Sequence, residues 1–131
     1  MRIRKKVARK SVFEDVDLEG SRFDDVCLKQ ATLDDVDLRR VRLVNADARK
    51  GRFEDVDLAR GRFVNVRLDR SRFDDISLCG SRLANVDLTG ASIVDGNLTG
   101  LSLSSCTIEG LTIDGILIAP LLEAARRKGK D

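Results

Sequence analysis

The 131-residue sequence contains no histidine, tyrosine or tryptophan, a single proline, three cysteines and five phenylalanines. Without histidine the commonest general base and metal ligand is missing. No GxSxG elbow, phosphate-binding loop or paired cysteine cluster takes its place. Cys27, Cys79 and Cys106 are odd in number, widely spaced and outside any CxxC, so they indicate neither a disulfide framework nor a zinc site. They read as reduced thiols, Cys106 at an inward position and Cys27 and Cys79 outward. No apolar run approaches the roughly 18 residues of a membrane span, and the start, MRIRKKVARK, lacks the apolar stretch of a secretory signal. The expectation is a cytoplasmic, non-catalytic chain with no cofactor and no metal.

What is present is charge and repetition. Residues 1–10 hold six Lys/Arg and no acid, whereas residues 11–122 hold fourteen basic and twenty acidic residues, a net of −6. Stepping by five from Phe13 gives Phe13, Leu18, Phe23, Leu28, Leu33, Leu38, Leu43, Ala48, Phe53, Leu58 and so on to Ile113 and Ile118, without insertion. Two residues before each centre stands an uncharged, mostly small or aliphatic residue, from Ser11 and Val16 to Leu111 and Ile116. Centre and second position therefore face inward and the rest face water, the local alternation of a strand. A step of five suits neither a straight strand nor an α-helix and requires a corner after each short strand. At a spacing of twenty, Asp15, Asp35, Asp55, Asp75 and Asp95 align, as do Arg22, Arg42, Arg62 and Arg82. A spacing of fifteen produces no such ladders, so the coil has four sides, not three.

Val36-Asp37-Leu38, Val56-Asp57-Leu58 and Val86-Asp87-Leu88 resemble the A(D/N)LXX pattern of the pentapeptide repeat family. The resemblance covers residues 11–118 and implies an all-β fold: a right-handed quadrilateral parallel β-helix with twenty residues per coil. The sequence departs from the pattern where Val or Ile replaces Ala. All five Phe centres follow Ser or Gly (Ser11, Ser21, Gly51, Gly61, Ser71), while Val or Ile precedes Leu. Volume is thereby conserved within each register, as close packing demands.

Three segments follow: a basic segment at 1–10, the repeat at 11–118, and a C-terminal helix and basic tail at 119–131. Ile3 and Ala8 continue the register among Arg2, Arg4, Lys5, Lys6, Arg9 and Lys10, so the first segment is either a partial first coil or a basic arm. Pro120 suits a helix start, and a helix is expected to about Lys128. Its Leu121, Leu122 and Ala125 either cap the open core or meet a second copy, giving a monomer or a C-terminally joined homodimer, as the resemblance implies for some members.

The candidate interaction surface is a stripe of twelve acids: Glu14, Asp15, Asp17, Asp34, Asp35, Asp37, Glu54, Asp55, Asp57, Asp74, Asp75 and Asp95. Arg39, Arg40, Arg42, Arg60 and Arg62 flank it on one side, and Arg49, Lys50, Arg52, Arg70 and Arg72 on the other. Stacked like charges oppose folding, so the stripe is either offset by pairs such as Arg52–Glu54 and Arg72–Asp74 or kept for a partner. The basic ladder is Arg22, Arg42, Arg62 and Arg82. The primary expectation is a protein-interaction or scaffolding module with an unidentified protein partner. The alternative, implied by the resemblance to quinolone-resistance members, is a DNA-mimicking modulator of a type II topoisomerase, DNA gyrase. Direct nucleic-acid binding through the basic ladder has the electrostatics but no aromatic platform or motif. Divalent-ion binding along the stripe lacks the glycine- and aspartate-rich motif of calcium-binding β-helices.

Overall fold

The computed structural model describes residues 2–4, 7 and 9–130, without the side chains of residues 129 and 130; the expectations for Ala8, Lys5 and Lys6 lie outside the described residues. Strands in chain order are β1 (Arg2–Arg4), β2 (Val12–Asp17), β3 (Arg22–Asp24), β4 (Thr32–Asp37), β5 (Arg42–Asp47), β6 (Arg52–Asp57) and β7 (Arg62–Arg67). They continue as β8 (Arg72–Ser77), β9 (Arg82–Asp87), β10 (Ser92–Val94), β11 (Ser102–Ser104), β12 (Thr112–Ile113) and β13 (Ile116–Leu117), followed by α1 (Ala119–Lys130). One sheet runs β1-β3-β5-β7-β9-β11 and the other β13-β12-β10-β8-β6-β4-β2. Every parallel pair joins residues twenty apart, as in Phe13↔Leu33 and Phe63↔Leu83. The result is a parallel β-solenoid of about five turns, four five-residue sides to the turn.

The corners explain the period. Every fifth residue from Lys10 to Gly115 has a positive φ, and each such residue turns the strand onto the next side. Two kinds of corner alternate. At Gly20, Gln30, Arg40, Lys50, Arg60 and onward to Gly110, the amide of the next residue donates back three positions, as Ser21 N does to Leu18 O (3.0 Å) and Val41 N to Leu38 O (3.1 Å). With φ positive at the third position these are type II turns. The residue before the centre caps them: carboxylate oxygens of Asp17, Asp37, Asp47, Asp57 and Asp87 accept the amide two residues on at 2.9–3.2 Å. That local bond explains the preference for Asp or Asn before the centre. The other corners are Asp15, Asp25, Asp35, Asn45, Asp55, Asn65, Asp75, Asn85, Asp95 and Ser105. Asp and Asn are the side chains other than Gly that best tolerate this left-handed conformation.

The inward positions form one core of stacked Leu, Phe, Val and Ile, most of them under a tenth exposed from Leu18 to Ile93. Phe53 and Phe73 stack with centroids 4.7 Å apart and planes 10° from parallel. Small partners make room for the rings: a Cβ on Gly61 would lie 2.9 Å from Phe63 Cε1 and 3.0 Å from the Leu58 carbonyl oxygen. Where serine takes this place it ties coils together. Ser81 Oγ donates to Leu58 O (2.7 Å) and accepts from Gly61 N (3.2 Å); Ser71 Oγ does the same with Ala48 O (2.9 Å) and Gly51 N (3.3 Å). The Ser71 and Ser81 hydroxyls are thus each satisfied as both donor and acceptor.

The two ends of the rod close differently. At the N-terminus Arg2–Arg4 pairs with Arg22–Asp24 as a strand of a partial coil, Arg2 and Arg22 both reaching Asp24. At the C-terminus the fivefold repeat ends at Ile113, not Ile118. Asp114 and Gly115 both have positive φ, the type I′ hairpin geometry. The chain reverses there, pairing Ile113 with Ile116 and Thr112 with Leu117 antiparallel. Ile116 and Leu117 are consequently exposed (57% and 51%). The expected cap is absent: Leu121 is 56% and Leu122 39% exposed, Ala125 is exposed, and Leu103 in the last coil stands 39% open. Strand β13 occupies the sheet edge at this end, beside β12. No helix among the described residues is long and apolar enough to cross a membrane.

The volume match between paired inward residues yields a double-mutant test. Gly61→Val alone is expected to cost about 1–3 kcal/mol through overpacking. Adding Phe63→Leu recreates the Val–Leu register of Val56 and Leu58 and recovers part of that loss. Urea unfolding of the two singles and the double should give a favourable coupling of about 1 kcal/mol or more; strict additivity contradicts the packing assignment.

Candidate interaction surface

Among the described residues the interior of the rod is filled by apolar side chains. The space around the rod axis between Phe13 and Phe63 amounts to about 20 Å³ and is lined by apolar side chains alone, room for roughly one water and no polar partner to hold it. Any site must therefore lie on the outside, where the coil sorts the charges into columns.

The twelve acids do fall on one edge. Glu14, Asp34, Glu54 and Asp74 stack in register, as do Asp17, Asp37 and Asp57, with Asp15, Asp35, Asp55, Asp75 and Asp95 at the corner between. All are exposed or half-buried. An open, shallow groove floored by Val16 and Val36 runs between Asp15, Asp35 and Asp55 on one wall and Asp17, Asp37 and Asp57 on the other. A second groove extends it over Val56 and Ile76 to Asp75 and Asp95. Carboxylate oxygens of Asp74, Asp75 and Asp95 lie within 4.8 Å of one another, as do those of Asp17, Glu19 and Asp37.

These acids divide by what the backbone asks of them. Asp17, Asp37 and Asp57 cap type II turns, so each has a role in the backbone. The corner column needs only a residue that accepts positive φ. On the diagonally opposite corner the same conformation, φ 54–57° against 51–55°, is adopted by Asp25, Asn45, Asn65 and Asn85. There the uncharged amides bond to each other, Asn65 Nδ2 donating to Asn45 Oδ1 at 3.2 Å. The charge at Asp35, Asp55, Asp75 and Asp95 is thus surplus to the backbone.

That surplus is electrostatically unfavourable. A hydrogen bond to Asp15, which only the protonated form can make, pushes the Asp35 carboxyl above the usual Asp range; the charges of Asp15, Asp55 and Asp34 and partial desolvation add to it. Desolvation and then Asp55, Asp74 and Asp95 push Asp75 up as well. The offsetting pairs Arg52–Glu54 and Arg72–Asp74 do not form among the described residues. Arg39 supplies the offset instead, reaching Asp37 at 2.7 Å, Glu19 at 3.1 Å and Asp57 at 4.0 Å across three coils. The type II turn brings Asp37 and Arg39 together, and the bond from Arg39 holds the Asp37 carboxyl below its ordinary value. Arg49 does the same for Asp47. At Asp24 burial acts upward, but Arg22 and Arg2 together outweigh it.

On the sheet containing β3, β5, β7 and β9, Arg22, Arg42, Arg62 and Arg82 stack in one outward column, continued by Arg2. Cys106 is half-buried and its thiol donates to Leu83 O (3.4 Å); Cys27 and Cys79 are likewise half-buried, and all three are free thiols. Sequence reasoning located the ladders but missed that corner geometry favours Asp or Asn; the signal was the Asn45, Asn65, Asn85 series itself.

The family profile described as pentapeptide repeats matches the chain in eight copies, over residues 8–40, 37–75 and 71–110. The crystal structure of a pentapeptide repeat protein (Rfr23) from the cyanobacterium Cyanothece 51142 aligns at a TM-score of 0.81 and 17% identity, covering 86% of this chain and 91% of that one. A pentapeptide repeat protein of the Arabidopsis thaliana thylakoid lumen aligns at 0.48 and 20% identity over 73% of this chain and 63% of its own. QnrB1, a plasmid-mediated fluoroquinolone resistance protein, aligns at 0.40 and 12% identity over 96% of each chain. No curated protein matches the chain in sequence.

The pH dependence of stability follows from the two groups of carboxyls. Asp35 and Asp75, raised from 3.8 in the folded chain, contribute stability that is fully present below 3.8 and lost as pH rises through their folded values. Asp24, Asp37 and Asp47, lowered from 3.8, contribute stability present above 3.8 and lost as pH falls through theirs. The Tm is expected to rise on acidification from pH 7 towards about 4 and to fall at lower pH. In Asp35→Asn/Asp55→Asn/Asp75→Asn the Tm at pH 7 should be higher and the rise absent. A variant less stable than the parent at pH 7 contradicts the assignment of the ladder as surplus charge.

Proposed function

The chain belongs to the pentapeptide repeat family, and we propose that it is a non-catalytic interaction module whose acid-lined groove docks the cationic face of a protein partner. The observation carrying this reading is the use of Asp at 35, 55, 75 and 95 where Asn serves the same φ on the opposite corner. Charge retained against the stability of the fold is charge with a use outside it. The groove is wide and shallow, so it suits a protein surface and not a small molecule. Steering by an extended acid edge raises the on-rate for a basic partner and weakens with salt.

A second reading, modulation of a type II topoisomerase by mimicry of DNA, draws on the same stripe, because carboxylates repeating along a rigid edge present charge as a phosphate backbone does. The apolar side chains left exposed at the C-terminal end, Leu103, Ile116, Leu117, Leu121 and Leu122, support pairing of two copies through that end.

The experiment compares wild-type protein with the folded Asp35→Asn/Asp55→Asn/Asp75→Asn variant as bait in a pull-down, and both as additives in a DNA gyrase supercoiling assay. Capture of a basic protein that is lost with the variant supports the docking role. Gyrase inhibition lost with the variant selects the second reading. Equal behaviour of the two baits and no effect on gyrase contradict both.

A further inference from the structure

The sheet side next to the acid edge carries the opposite surplus. Residues 39–45, 59–65 and 79–85, stacked as successive coils, contain six arginines and no acid. Arg39 is engaged with acids on the neighbouring side, but Arg42, Arg62 and Arg82 form no ion pair among the described residues and are exposed. Beside them run Val44 and Val64, the latter 37% open. Guanidinium groups in register at strand spacing, about 4.8 Å, repel as the Asp column does. One rod thus carries two unneutralised ladders of opposite sign, both rising by one strand spacing per charge.

That shared rise identifies a partner. Phosphates on one strand of a DNA duplex rise by about 3.4 Å, so a ladder in phase with one phosphate is out of phase at the next. A second β-solenoid keeps phase along its whole length, and this chain displays such an acid ladder. We propose that copies associate side by side, the Arg42–Arg62–Arg82 column of one laid along the Asp35–Asp55–Asp75 column of the next. This rests on the reading of the acid edge as a docking surface and names its partner. The two columns lie on different sides of the rod, so the contact is heterologous. Each pair leaves one free ladder of each sign, and association continues past the dimer or closes as a ring.

Analytical ultracentrifugation of the full chain tests this without any other protein present. At about 20 mM salt, where screening extends over roughly 20 Å, the average mass should exceed that of a dimer and grow with concentration; at about 0.5 M salt that growth should vanish. Arg42→Glu/Arg62→Glu/Arg82→Glu and Asp35→Lys/Asp55→Lys/Asp75→Lys should each abolish it. Lysine at positions 35, 55 and 75 meets corners that Asp and Asn fill with least strain, so circular dichroism checks the fold of both variants, and Asp35→Asn/Asp55→Asn/Asp75→Asn, which keeps the corner residue type, should abolish the association as well. An equimolar mixture of the two reversed variants should associate again, because every contact is complementary in the mixture. A wild-type monomer at low salt overturns the proposal, as does association that survives either reversal or resists salt, which marks the apolar C-terminal end. Low-salt binding of duplex DNA that needs Arg42, Arg62 and Arg82, without self-association, replaces it with nucleic-acid binding. The pull-down with Asp→Asn bait is independent, so the docking reading can stand where this inference fails.

Discussion

A residue held at positive φ after every fourth step is what turns this chain from a ribbon into a rod. L-amino acids resist that conformation, so each corner has to be filled by glycine, by Asp or Asn, or by a long polar side chain in a type II turn that offsets the cost with its hydrogen bond. Once the corners are in place the rest follows. Twenty residues close a turn, identical positions stack at strand spacing, and inward residues of successive coils meet as layers. Paired volumes then decide which inward residues may be neighbours, as Gly61 with Phe63 and Val56 with Leu58 illustrate.

The same stacking that builds the core forces like charges together outside it. A globular surface can scatter its acids; a solenoid that repeats a residue every twenty positions cannot. The chain treats its two Asp/Asn corners differently. On one, Asn45, Asn65 and Asn85 remove the repulsion, and the Asn65 amide bonds to Asn45. On the other, Asp35, Asp55, Asp75 and Asp95 keep it, while Arg39 pairs with Glu19 and with the neighbouring column at Asp37 and Asp57. Aspartates with a turn to cap and aspartates without one are thus separable by geometry.

Much of the fold was legible because it is periodic. The five-residue step, the twenty-residue ladders and the pairing of Ser or Gly with Phe could all be read from residue types alone, and the structure places Arg22, Arg42, Arg62 and Arg82 in the expected column. Legibility failed where periodicity and local geometry diverge. Ile113 and Ile118 keep the five-residue step, yet Asp114-Gly115 is a hairpin dipeptide and reverses the chain between them. Leu121, Leu122 and Ala125 have helical spacing, but spacing does not say what the helix faces, and β13 already holds the sheet edge. Arg52–Glu54 and Arg72–Asp74 share the two-residue spacing of Asp37–Arg39, but they lie along strands, whereas Asp37 and Arg39 meet at a type II turn. The acid stripe was legible as a column of charge, whereas its division into turn caps and surplus required the φ values.

The dependence of the whole structure on left-handed corners is tested most directly at Asn85, which is exposed inside β9 with φ 55° and whose side chain makes no hydrogen bond among the described residues. Thermal unfolding of Asn85→Val and Asn85→Gly puts two rules in opposition, since valine is favoured in strands and glycine disfavoured, whereas at positive φ the order reverses. The account predicts that Val destabilises by about 1–3 kcal/mol while Gly is neutral or stabilising. A valine variant as stable as the parent, or more so, contradicts it.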